Sequence, residues 1–211
     1  MNNGSNVTKL GLRSSKKLIN FFKYWRIMET YKVGVIIGSL AKESINRKLA
    51  QALMRLSPDN FAFSEISYKD LPLYSYDYDL DYPLAAREFK ESIAKVDAVL
   101  FVTPEYNRSI PGALKNALDW ASRPRGQGAF KNKPVAVIGA SSGAIGTAVA
   151  QQHLRTILAF MNAPQMNYPE GYIQVKPGLI DENGDVTVDS TREFLRMYMN
   201  EFYTFVERVL T

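Results

Sequence analysis

A chain of 211 residues with 46% hydrophobic content is long enough to bury one sizeable core, and it is read as a single domain behind a short extension. It has no cysteine, which excludes disulfides and thiolate metal sites and points to a reducing compartment, the cytoplasm. The net charge of +5 sits within residues 1–30, where Lys9, Arg13, Lys16, Lys17, Lys23 and Arg26 stand against Glu29 alone. The remainder is neutral and carries no electrostatic footprint for nucleic acid.

Within residues 1–30, Leu18, Phe21, Phe22 and Trp25 recur at helical spacing among the basic residues. The pattern suits a basic amphipathic helix on a membrane or partner, or a targeting peptide without an unbroken apolar region. It equally suits sequence ahead of a natural start at Met28. Residues 1–30 are therefore set aside as a basic extension, and 31–211 are taken as the domain. No apolar run in the chain approaches the ~18 residues of a membrane-spanning helix.

From Tyr31 onward, short apolar runs alternate with helical periods. "YKVGVII" (31–37) reads as a buried strand and "INRKLAQALMRL" (45–56) as a helix. "FAFSEI" (61–66) is a weaker strand, and "PLAAREFKESIAKV" (83–96) a helix opened by Pro83. Strand 98–103 and helix 113–122 follow, then strand 134–140 and helix 147–161, then strand 171–175 and a terminal helix from about Thr191 to Leu210. This alternation implies α/β architecture, with a parallel sheet covered by helices on both faces. Five strands suit a flavodoxin-like three-layer sandwich in the order 2-1-3-4-5, whose ligands bind beyond the strands' carboxyl ends.

Three loops leave those carboxyl ends. In "GSLAKESIN" (38–46), Gly38 permits a tight turn, Ser39, Ser44 and Asn46 offer short polar side chains, and Lys42 adds positive charge. At a helix N-terminus this is the chemistry of a phosphate cradle, and equally ordinary N-cap composition. Neither a GxxxxGK[ST] nor a GxGxxG follows the first strand, so a monophosphate fits better than a pyrophosphate. In "TPEYN" (103–107), Pro104 sets the turn, and Glu105, Tyr106 and Asn107 stand where a planar heterocycle can lie; the alternative is a helix-leading loop with incidental polar residues. "SSGAIG" (141–146) is small enough for a flat ring to approach the backbone.

In this order and spacing, "GSLAKESINRKLA", "TPEYNRSIPGALKNALDW" and "GASSGAIGTAVAQQHLRTIL" resemble the NADPH-dependent FMN reductase family, whose nearest members are quinone, azo-dye and chromate reductases. The resemblance spans about Lys32 to Val175. It implies an enzyme in which FMN carries the chemistry, NADPH or NADH donates electrons, and a small molecule (quinone, azo dye, nitroaromatic or chromate) accepts them in ping-pong fashion. The alternative is a flavodoxin-type electron carrier that does not oxidise NAD(P)H itself. By this resemblance Ser39, Lys42, Ser44, Ile45 and Asn46 hold the phosphate, Pro104, Glu105, Tyr106 and Asn107 contact the flavin, and Ser141, Ser142 and Gly143 close the site. No catalytic side chain, metal site, membrane span or nucleic-acid partner is expected, and Glu105 is read as structural.

The resemblance further implies a homodimer or homotetramer with the flavin near an interface formed by Tyr106, Trp120, Arg155 and Glu170, core packing being the alternative for Trp120. Two positions depart from the family's habit: Ala41 replaces a frequent arginine, and Arg108 a frequent aromatic residue. His153, the single histidine, is read as structural. Asp77, Asp79, Asp81 and Glu88 match four positions of a calcium loop, but Tyr82 stands where that loop needs glycine. A tyrosine-rich loop bordering the site is the better reading of that stretch.

Overall fold

The structure, a computed structural model, describes residues 29–211. The helical spacing of Leu18, Phe21, Phe22 and Trp25 lies outside the described residues. Five strands form one parallel sheet: β1 (Tyr31–Ile37), β2 (Phe61–Glu65), β3 (Ala98–Val102), β4 (Val135–Ser141) and β5 (Gly171–Gln174), in the order β2-β1-β3-β4-β5. This is the expected flavodoxin-like order. The helices are α1 (Ile45–Leu56), α2 (Leu84–Ala94), α3 (Gly112–Ser122), α4 (Ala148–Phe160) and α5 (Asp189–Leu210), with a single 3₁₀ turn at Tyr76–Asp79.

The sheet sorts its side chains by the two-residue period of a strand. Val33, Val35 and Ile37 of β1, Leu100 and Val102 of β3 and Ile138 of β4 point to the face covered by α1 and α5. Ile36, Val99, Phe101 and Val137 point to the other face, against α2, α3 and α4. Because β3 is buried on both faces, its sequence AVLFV is uninterrupted apolar, whereas the edge strand β2 exposes Ala62 and Ser64. On the first face Phe61 stacks at 5.4 Å against both Phe202 and Tyr203 of α5. The buried hydroxyl of Tyr198 donates to the Val137 carbonyl at 2.8 Å, and desolvation pushes that phenol's pKa up.

Among the described residues, no helix is long and apolar enough to cross a membrane. The parallel pairing of β1 with both β2 and β3 makes the carboxyl ends of β1 and β3 the point where the strand order reverses. The fold thereby places loops 38–46, 103–111 and 141–147 at one edge.

Candidate functional site

Thr103 joins the three loops. It is buried just past β3, its N–H donates to the Ile138 carbonyl at 3.0 Å, and its hydroxyl donates to the Pro104 carbonyl at 2.9 Å. Two glycines make room for it. A Cβ on Gly38 would stand 2.4 Å from Thr103 Oγ1, and one on Gly139 would stand 2.1 Å from the Thr103 carbonyl oxygen. Neither separation is possible for a side chain, so both positions require glycine for close approach.

The first loop presents donors. Ser44 caps α1, its Oγ accepting from the Arg47 N–H at 3.3 Å, and Ser39 Oγ accepts from the Ala41 N–H at 3.3 Å. Both serines are nearly buried, yet their hydroxyl protons find no acceptor among the described residues. The backbone N–H groups of Ser39, Leu40, Lys42, Glu43, Ile45 and Asn46 likewise have no acceptor there. A helix start with this many free donors suits an anion of several oxygens, such as a phosphate monoester. Lys42 is exposed beside it, with no carboxylate partner among the described residues.

Asn46 departs from the side-chain role expected for it. Its amide is 1% exposed and doubly committed: Nδ2 donates to the Ala140 carbonyl at 2.9 Å, and Oδ1 accepts from the Ala140 N–H at 2.9 Å. The side chain therefore braces α1 against β4, and its backbone N–H is what faces the cradle. A cavity of about 330 Å³ opens between Ile45 and Ser142, walled by Val175 and Ile180. A larger hollow of about 540 Å³, against Arg125, Lys131 and Phe160, contains none of the three loops. Size is the poorer guide here, because ligands of open α/β sheets bind at the carboxyl edge.

The second loop is a closed turn. Tyr106 and Ser109 exchange backbone hydrogen bonds of 2.9 and 3.0 Å around Asn107 and Arg108, both at positive φ (51° and 64°). Two successive positive φ values are what a primed turn demands. The Glu105 side chain is 7% exposed; one oxygen accepts from the Ala150 N–H at 3.1 Å and the other from Arg108 Nη1 at 3.2 Å. Ala150 lies in the first turn of α4, so this carboxylate meets the positive end of the helix. Glu105 is thus tied to structure on both oxygens, while Tyr106 remains half-exposed.

The third loop folds on itself, Ser141 Oγ donating to the Gly143 carbonyl at 3.0 Å and the Gly146 N–H to the same oxygen at 3.2 Å. The N–H groups of Ser142, Gly143, Ala144 and Ile145 have no acceptor among the described residues. Thr147 and Gln151, within the string that carries the resemblance but with no role expected of them, support this loop. Gln151 Nε2 donates to Thr147 Oγ1 at 2.9 Å and to the Gly171 carbonyl at 2.7 Å.

Further expectations resolve at the rim. Trp120 is wholly buried in its own chain, so it belongs to the core rather than to an interface. Its indole N–H donates to the Pro72 carbonyl at 2.7 Å, and the rings of Tyr74, Tyr78 and Tyr82 surround it at 5.1, 5.5 and 5.1 Å. This is the tyrosine-rich stretch. Asp79, one of the calcium-loop matches, is bonded instead to Arg123 and to the Tyr74 hydroxyl, and the Arg123 guanidinium holds its carboxyl below the usual carboxylate range. His153 Nδ1 lies 3.0 Å from Ser109 Oγ and so pins the second loop to α4. Arg155 donates to the Met166 carbonyl at 3.0 Å, and Glu170 accepts from the Tyr172 hydroxyl at 2.7 Å.

Residues 31–176 match the family model for NADPH-dependent FMN reductase. A 2-hydroxy-1,4-benzoquinone reductase from a Burkholderia species is 51% identical over 175 residues, covering 83% of this chain and 96% of the relative. A quinone reductase of Pseudomonas putida is 46% identical over 180 residues, covering 85% and 96%. Among solved structures, FerB, a flavoenzyme NAD(P)H:(acceptor) oxidoreductase from Paracoccus denitrificans, superposes with a TM-score of 0.81 at 42% identity, covering 85% of this chain and 98% of FerB.

Proposed function

The chain belongs to the NADPH-dependent FMN reductase family, and from that premise we propose an FMN-dependent oxidoreductase that uses NAD(P)H to reduce a quinone. The supporting observation is the set of unpaired N–H groups around nearly buried Ser39 and Ser44, whose chemistry suits the phosphate of FMN. Ser39, Lys42 and Ser44 hold that phosphate through side chains, and Ile45 and Asn46 through backbone N–H groups at the helix start. Pro104, Glu105, Tyr106 and Asn107 wall the ring, and Ser141, Ser142 and Gly143 close over it.

FMN, when bound, supplies the redox chemistry between nicotinamide and acceptor. The chain's own residues bind, orient and stabilise. Free N–H groups at Ser142 to Ile145 would offer hydrogen-bond donors to a bound flavin ring. Tyr106 offers an aromatic face at the rim. Glu105, held on both oxygens, moves no proton. Donor and acceptor use the same opening in turn, which gives ping-pong kinetics. Tyr106 and Glu170 remain exposed to a second copy, and we place the flavin near such an interface in a homodimer or homotetramer.

The quinone acceptor follows from the relatives named as quinone reductases; azo dyes, nitroaromatics and chromate are proposed as secondary acceptors of the same opening. The test is the visible spectrum of the purified protein, followed by anaerobic NADPH and then a quinone. Flavin bands that NADPH bleaches and quinone restores are the expected result. Bands that NADPH leaves untouched would make the protein an electron carrier, and a colourless protein that takes up no FMN would end the flavin reading.

A further inference from the structure

Arg108 stands at the tip of the primed turn, two residues after Tyr106, with its side chain 67% exposed. Its one bond is from Nη1 to Glu105, so its remaining donors face outward without acceptors among the described residues. Charge at this rim is simple. Loops 103–111 and 141–147 contain one acid, Glu105, and one base, Arg108. The Glu105 carboxylate is buried and also engaged by the N-terminus of α4, which leaves the guanidinium as the outward charge beside the proposed ring site. Lys42, the other cation of the loops, stands at the phosphate end with Glu43 beside it.

Resting on the reading of loop 103–111 as the wall of the flavin and acceptor site, we propose that Arg108 selects quinones that carry an ionised ring hydroxyl, the 2-hydroxyquinone class, over neutral quinones. Such a compound is a vinylogous carboxylic acid and is anionic at neutral pH. Its ionised oxygen lies next to a ring carbonyl, so two acceptors stand side by side in the ring plane. A planar guanidinium matches that pair with a fork of N–H donors, as an ammonium does not. In the overall reaction the anion gains a hydride equivalent and two protons from solvent, giving a neutral trihydroxybenzene, while NAD(P)H becomes NAD(P)⁺. The product has lost the charge that Arg108 holds, which favours its release.

The experiment compares kcat/KM for 2-hydroxy-1,4-benzoquinone and for unsubstituted 1,4-benzoquinone in the parent protein, Arg108→Gln and Arg108→Lys. Arg108→Gln retains a donor for Glu105 without the charge, so the hydroxyquinone-to-benzoquinone ratio is expected to fall about tenfold, with Arg108→Lys intermediate. In the parent, rising ionic strength should slow the anionic acceptor more than the neutral one. Equal losses for both quinones in Arg108→Gln, or an unchanged ratio, would overturn the assignment and leave the quinone-reductase reading standing. A parent protein that is bleached by NADPH yet reduces neither quinone would overturn both.

Discussion

Loops 38–46 and 103–111 rise from neighbouring strands at one edge of the sheet, yet their hydrogen bonding differs. The first leaves six backbone N–H groups without acceptors and keeps two serine hydroxyls free to donate. The second closes on itself through Tyr106 and Ser109 and is pinned to α4 by Glu105 and His153. An unsatisfied donor near the surface costs little while water reaches it, and it becomes an asset when an anion arrives. A satisfied turn keeps its shape with or without a ligand. Under the proposed function, the contrast would give affinity to the first loop and geometry to the second.

The strongest way to break that division is to remove the joint on which both loops depend. Gly139→Ala would drive a methyl group into the Thr103 carbonyl and Thr147 Oγ1, which lies 2.4 Å from the added carbon. A loss of about 3 kcal/mol is expected, read as a lowered midpoint in urea and loss of bound flavin. A protein as stable as the parent would show that the loops can move apart.

A second pair of variants separates scaffold from ligand within the first loop. Asn46→Ala leaves the buried N–H and carbonyl of Ala140 unpaired and should cost about 2–3 kcal/mol of stability. Ser44→Ala should cost only about 1 kcal/mol as a lost cap. Its FMN affinity should nevertheless fall by about tenfold, from one charge-assisted hydrogen bond. Denaturation of the flavin-free forms and FMN titration give the two readouts. If the order of the affinity losses follows the order of the stability losses, the division fails.

Ala41 tests whether the donor set of the cradle is saturated. Ala41→Arg adds a bidentate cation beside Lys42, and FMN should bind about fivefold tighter at low salt, with the gain shrinking as salt rises. Fluorescence quenching of FMN measures it. No gain would mean that the backbone donors already satisfy the phosphate.

The smallest effect concerns the tyrosine clamp, which binds no ligand in this reading. Arg123 lowers the Asp79 pKa, so the pair's contribution is present above the unfolded-state value of about 3.9 and is lost as pH falls through the lower folded value. Asp79→Asn should therefore be less stable than the parent at neutral pH, with the difference closing below about pH 4. Thermal melts across pH 3–7 would check it, and a constant difference would exclude the ion pair as the cause.

Much of the molecule was legible in the chain itself. Alternating strand and helix periods predict every strand and α-helix within about two residues, though not the 3₁₀ turn at Tyr76–Asp79, because each strand repeats at two and each α-helix near 3.6 along contiguous residues. The three loops were legible for the same reason, since each is a local string of small and polar residues after a buried strand. What only the tertiary structure decided joins residues far apart. Asn46 spends its amide on Ala140, 94 residues away, and Glu105 caps a helix 45 residues on. Thr103 fits between Gly38, just past β1, and Gly139 of β4, and Trp120 lies inside a cage of tyrosines from another segment. Periodicity carries the face a residue shows, because the backbone sets that locally; it carries nothing of which distant donor meets which acceptor, because that is settled only when the layers pack.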